Sequence, residues 1–121
     1  MNSTDKTVDV EVSGIPDCPN FGPTVGLVAE IAAELEIPVN IRQVTVHDET
    51  EALAHEFPGS PSVLIDGLDL EADTRTLQSA FGCRVYRYNG RVSGMPSAEL
   101  IRSRLHAASS IEGPAQNRAT D

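Results

Sequence analysis

The sequence has no tryptophan, only three phenylalanines and only two tyrosines. A core with so few rings must be filled by Val, Leu, Ile and Ala. Basic residues are also scarce: nine Lys and Arg stand against eighteen Asp and Glu, for a net charge of −9. Such a chain has little with which to displace counterions from phosphates, which excludes a duplex nucleic-acid binder. It is equally unsuited to docking on anionic membranes. No apolar run approaches the length of a membrane span. The opening Met1-Asn-Ser-Thr-Asp-Lys-Thr7 is polar and has no apolar stretch of the kind a secretory signal needs, so the expected compartment is the cytoplasm. There is no G-x-x-x-x-G-K-[ST] loop and no G-x-G-x-x-G run, and no serine has the setting of a nucleophile elbow. Cysteine is nearly absent. In a reducing compartment, the two that remain are better read as thiols with chemistry than as a structural staple.

What is present suits one soluble globular domain: 121 residues, 40% hydrophobic and 22% charged. Residues 1–6 read as a disordered leader and 108–121 as a disordered tail, which leaves a domain over 7–107. Val8, Val10 and Val12 alternate with Asp9 and Glu11, a period-2 strand with one apolar face. A turn-rich stretch from Gly14 to Pro23 follows. Leu27, Val28, Ile31 and Leu35 then share one side of a helix that Pro38 ends. Val39, Ile41, Val44 and Val46 read as a second strand, whose broken alternation predicts a bulge or a change of exposed face. Asp48 can cap a short helix from Glu49 to about His55. Ser62 to Ile65 is a short buried strand, and Asp66-Gly67 is a hairpin signal that returns Leu68 to Leu70 antiparallel. Glu71 to Phe81 is ambiguous; Leu77 and Phe81 could share a helical face. Arg84 to Tyr88 reads as a strand, with a second hairpin turn at Asn89-Gly90. A last helix is expected from about Pro96 to Ala107. The order of elements predicts an α/β fold: a mixed sheet of about four to five strands flanked by three to four helices.

The chemistry gathers around Cys18. It lies in the turn after the first strand, the end of a strand where sites collect in α/β sheets. It also precedes a helix, whose N-terminal partial charge favours a thiolate. Pro23 leaves two possibilities: a helix that starts near Pro19 and kinks, or one that starts at Pro23 and leaves Cys18 on the preceding loop. The alternative to a reactive thiol is a buried, inert cysteine. His47, His55 and His106 have no ligand-like spacing to either cysteine, so no metal site and no cofactor are expected. Arg84, Arg87 and Arg91 read as one small basic group around a hairpin, which pairs with the many carboxylates or receives an acidic partner, the first being the plainer reading.

Strand, Cys18-Pro19 turn, helix, strand, helix, then Gly59-Ser60-Pro61 opening a hairpin strand: this order resembles the thioredoxin fold. In that family the proline before the third core strand is cis and lies against the active-site cysteine; Pro61 matches that position. The resemblance makes Pro19, Asn20, Phe21, Ser60 and Pro61 the expected substrate-contacting residues. The family's C-x-x-C is here Cys18-Pro-Asn-Phe21, so the local resolving thiol is missing. Only Cys83 can replace it. The strand after Pro61 runs away from the Cys18 end and its hairpin partner runs back, so the segment leading to Cys83 starts at that end of the sheet. The alternative is that Cys83 is a small hydrophobe opening a strand.

The chain is more closely similar to short bacterial thioredoxin-like proteins described as alkylmercury-lyase-like. The matching pieces are Ile15-Pro-Asp-Cys18-Pro-Asn, Phe57-Pro-Gly-Ser-Pro61-Ser-Val, and Cys83-Arg-Val-Tyr followed by Gly94-Met-Pro-Ser97. The resemblance implies a paired-thiol site made of Cys18 and Cys83. The lyases themselves place an aspartate three residues after the first cysteine, where this sequence has Phe21; Asp17 lies on the other side of the motif. The expected function is therefore thiol–disulfide exchange with a small-molecule thiol or disulfide or a protein redox partner. A non-catalytic thioredoxin-like binding module and a soft-metal or organomercurial handler are the alternatives.

Overall fold

A computed structural model describes residues 7–72 and 78–109. The elements are β1 (Val8–Gly14), α1 (Phe21–Leu35), β2 (Val39–Thr45), α2 (Glu49–Ala54), β3 (Ser62–Ile65), β4 (Leu68–Asp69), β5 (Tyr86–Tyr88), β6 (Arg91–Ser93) and α3 (Ala98–Ser109). Four strands form one mixed sheet in the order β2-β1-β3-β4, and β5 and β6 form a separate two-stranded sheet. β1 pairs parallel with β2, while β3 runs antiparallel to both β1 and β4. Among the described residues this is an α/β architecture with three helices. Among the described residues no helix is long and apolar enough to cross a membrane.

The alternation in β1 has the consequence its sequence implies. Val8, Val10 and Val12 are almost fully buried, on one face of the sheet with Val63 and Ile65 of β3. Against them pack Val28 and Ile31 of α1 and Leu100, Ile101 and Leu105 of α3. Each such aliphatic side chain contributes about 1.5–3 kcal/mol by leaving water. The opposite face carries Glu11, Ser13, Ser62 and Leu64, and lines a cleft of about 530 Å³. A smaller cluster of Val46, Ala52 and Phe57 sits beside this cleft.

β2 has no bulge: its register with β1 is unbroken from Val39 opposite Val8 to Thr45 opposite Gly14. The broken alternation is a change of face. Val39 and Ile41 pack toward α1, and Val44 lines the cleft on the other side. Both predicted hairpin turns are present. Asp66-Gly67 and Asn89-Gly90 each take positive φ at both residues, the geometry that matches strand twist in a two-residue turn. α1 ends where Glu36 adopts a left-handed conformation two residues before Pro38, its N–H donating to the Ala33 carbonyl.

Other boundaries differ from expectation. α3 starts at Ala98 instead of Pro96, because the Ser97 hydroxyl accepts the Leu100 N–H and so caps the helix. The helix continues through Ala108, which is buried, to Ser109, so the first two residues assigned to the tail belong to it; 110–121 lie outside the described residues. The leader 1–6 and Leu77 also lie outside them. Gln78 to Phe81 is not helical, and the Ala80 N–H donates to the Phe57 carbonyl at 2.8 Å. The strand expected over Arg84 to Tyr88 is ordered as a ladder only from Tyr86, preceded by a single bridge at Cys83.

Candidate functional site

Cys18 lies in the turn between β1 and α1. Its N–H donates to the Ile15 carbonyl at 3.2 Å, and its own carbonyl accepts the Phe21 N–H at 3.3 Å. α1 begins at Phe21 with Asn20 as its N-cap, so Pro23 falls in the first turn, where its missing N–H costs nothing. The helix is neither started at Pro19 nor kinked at Pro23, and Cys18 stands on the loop before it. The Cys18 side chain is half-buried and its thiol is free. Phe21 turns its ring onto Gly14, where a Cβ would come within 2.5 Å of it. That contact requires glycine at the end of β1 and fixes how the turn leaves the sheet.

Ser60 and Pro61 are both buried, and the peptide bond between them is cis. The Ser60 hydroxyl accepts the Ile15 N–H at 3.1 Å, tying this loop to the Cys18 turn. On its other side, Ser60 pairs in parallel with Cys83: its N–H donates to the Gly82 carbonyl at 2.7 Å, and its carbonyl accepts the Arg84 N–H at 3.0 Å. The segments bearing the two cysteines therefore flank one residue. Cys83 is exposed and is also a free thiol; it is not a core hydrophobe. Pro19 is exposed and Asn20 half-buried, the latter against Gly94, where a Cβ would fall 2.7 Å from the Asn20 amide nitrogen.

Arg84 departs from the sequence reading. It does not join Arg87 and Arg91 as a surface group; its side chain is fully buried. Two of its nitrogens bind Asp69, each at 2.7 Å, and it also reaches Glu71 at 3.1 Å and the Ser62 hydroxyl at 2.9 Å. Its guanidinium lies 4.2 Å from the centre of the Tyr86 ring. The Tyr86 hydroxyl donates to the Pro61 carbonyl at 2.7 Å, and the other Glu71 oxygen accepts the Arg87 N–H at 3.0 Å. Burial alone would disfavour the Arg84 cation. The bonds to Asp69 and Glu71 and the fields of Tyr86 and Asp69 outweigh it and hold its pKa above the ordinary arginine value. The network clamps the strand after Cys83 to the strand after Pro61. One signal for it was in the sequence: Asp69 and Glu71, like Arg84 and Tyr86, are spaced two apart, so each pair can face one side.

The histidines do not join this site. His47 is exposed and bound to Glu51, and His55 is an exposed residue at the mouth of the cleft. Among the described residues no group of three or more His, Cys, Asp or Glu is placed to hold a metal ion. The arrangement places two free thiols, one half-buried and one exposed, on segments that both bond Ser60, with the Arg84 ion-pair network next to the Cys83 segment. No protein-family model matches the chain, and no curated protein matches it.

Proposed function

We propose that this is a thioredoxin-like thiol–disulfide oxidoreductase whose two thiols, Cys18 and Cys83, come from separate elements. The strand order β2-β1-β3-β4, with β3 antiparallel to its neighbours and the Cys18 turn between β1 and α1, supports the fold half of this reading. The observation that carries the rest is the position of Ser60, bonded to the Cys18 turn through Ile15 and to the Cys83 segment through Gly82 and Arg84.

In the proposed reaction the Cys18 thiolate attacks one sulfur of a disulfide R–S–S–R. A Cys18–S–S–R bond forms and one RS⁻ leaves, taking a proton from solvent. The Cys83 thiolate then attacks the Cys18 sulfur and expels the second RS⁻. The protein loses two electrons and ends with a Cys18–Cys83 disulfide; the substrate gains them and ends as two thiols. The reverse sequence oxidises a dithiol.

The test is the intact mass of the full chain after mild oxidation, with alkylation of remaining thiols under denaturing conditions. The expected product is a monomer short of two hydrogens and blocked at both cysteines, which requires Cα atoms within about 7 Å. Cys83→Ser should trap mixed disulfides on Cys18. Two free thiols in the oxidised monomer would overturn the paired-thiol mechanism and leave a monothiol protein or a binding module, and turnover of Cys83→Ser equal to wild type would show that Cys83 is not the resolving thiol.

A further inference from the structure

The chain has twice as many acids as bases, but they are not evenly placed. From Thr74 to Ala98 the sequence has four arginines and no Asp or Glu. The described part of that stretch holds Cys83 and the β5–β6 hairpin. This hairpin is anchored beside both cysteines. β5 starts shortly after Cys83, and Gly94, just past β6, lies against the Asn20 amide in the Cys18 turn.

Between these anchors, Arg87 and Arg91 are exposed. The other described arginines are engaged: Arg42 with Glu11, Arg84 with Asp69 and Glu71, Arg102 with Glu34, and Arg104 with the Leu70 carbonyl. Among the described residues, neither Arg87 nor Arg91 forms an ion pair. Arg87 stands opposite Val92 and Arg91 opposite Tyr88, so the two guanidinium groups leave opposite faces of the ribbon. They form a positive rim and not a fork, which suits attraction over tight bidentate binding.

We propose that this hairpin draws carboxylate-bearing thiols and disulfides of low molecular weight to Cys18 and Cys83. The proposal rests on the thiol–disulfide reading above. A small anion responds to the local field, which extends over roughly 8 Å at physiological salt. An acidic protein would also meet the rest of a surface whose net charge is −9, so the small anion is favoured.

The test compares reduced full-length protein reacting with 3,3′-dithiodipropionate, its uncharged dimethyl ester and cystamine at low salt. Each rate is divided by that of N-acetylcysteine amide with the same reagent. The expected anion-to-ester ratio is about fivefold above that of the free thiol, the scale of two unit charges acting through water at short range. Arg87→Glu/Arg91→Glu should bring the ratio to or below unity with the ester rate and circular dichroism unchanged, and 0.5 M salt should erase it in wild type. An unchanged ratio in the double variant overturns the proposal. A second arm needs no thiol chemistry: 3,3′-thiodipropionate, a thioether, is titrated into Cys18→Ser/Cys83→Ser protein and followed by amide chemical shifts. Shifts clustered over 83–94 and lost on reversing the two arginines support anion recognition even if no disulfide reacts. Their absence overturns it, while a failure of all three disulfides overturns the oxidoreductase reading alone.

Discussion

Ser60 and Cys83 are bridge partners although neither belongs to a strand. Ser60 is buried and precedes β3; Cys83 is exposed and precedes β5. The backbone of Ser60 holds the Cys83 segment, while its side chain holds the Cys18 turn. One small residue thus bonds both cysteine-bearing segments, one through its side chain and the other through its backbone.

Ser60→Ala should separate these bonds. The backbone bridge to Cys83 needs no hydroxyl, but the Ile15 N–H loses its acceptor. An unsatisfied donor in such a place costs about 1–3 kcal/mol, read as a lower urea midpoint at unchanged slope. Under the paired-thiol reading, oxidation to the Cys18–Cys83 disulfide should also slow. A variant as stable as wild type would show that water or another group takes over the Ile15 N–H.

Arg84→Met should be among the most destabilising single changes. The Asp69 and Glu71 side chains are 6% and 3% exposed and would lose the Arg84 guanidinium. Breaking a buried pair in this way costs about 3–5 kcal/mol. Arg84→Lys keeps the charge but not the two parallel bonds to Asp69, and should fall between. Arg102→Met, which breaks an exposed pair with Glu34, is the control and should change stability by under about 1 kcal/mol. Equal unfolding midpoints for Arg84→Met and Arg102→Met would refute the network's importance.

Two glycines with the same apparent crowding should respond differently to alanine. Gly59 has φ of +124°, and a Cβ there would lie 2.7 Å from the Arg84 Cβ, which the ion-pair network holds in place. Strain and overlap together should cost at least about 2 kcal/mol. A Cβ at Gly94 meets only the far end of the Asn20 side chain, which can turn away. Thermal unfolding of the two variants should differ by several degrees, with Gly59→Ala the lower.

The α2 cap predicts a small acid-side effect. Glu51 titrates below its ordinary value of 4.5 because it accepts the His47 N–H and bonds the His47 ring. A carboxylate with a lowered folded pKa adds stability that is complete above the unfolded pKa and is lost as pH falls through the folded one. Glu51→Gln should therefore lower stability above about pH 5 and leave it unchanged at pH 2, where both forms are neutral. Urea midpoints across that range measure it.

Most of the secondary structure was legible because its signals are local. Period-2 valines wrote β1, Asp48 wrote the start of α2, and Asp66-Gly67 and Asn89-Gly90 wrote their turns. The turn position of Cys18 was also readable. Arg84 was not, since spacing along the chain treats it like Arg87 and Arg91. Its burial depends on Asp69 and Glu71 arriving from another element. The face change in β2 could be narrowed to two options but not chosen between, because the choice depends on the cleft beside Val44. Ser60 carried no chemical signal of its own, as its role is to hold neighbours.

The two cysteines stand 65 residues apart in sequence, and the segments that carry them meet at Ser60. A bond between them would close α1, β2, α2, β3 and β4 into one covalent ring, with β1 threaded between its strands but outside the loop. In the chain-entropy model a loop of about 65 residues restricts the unfolded ensemble by about 4 kcal/mol, roughly twice what a four-residue C-x-x-C loop does. Oxidation would then be felt far from the thiols, as greater resistance of the whole domain to denaturant. The folding equilibrium and the redox equilibrium of this protein would be two sides of one thermodynamic cycle.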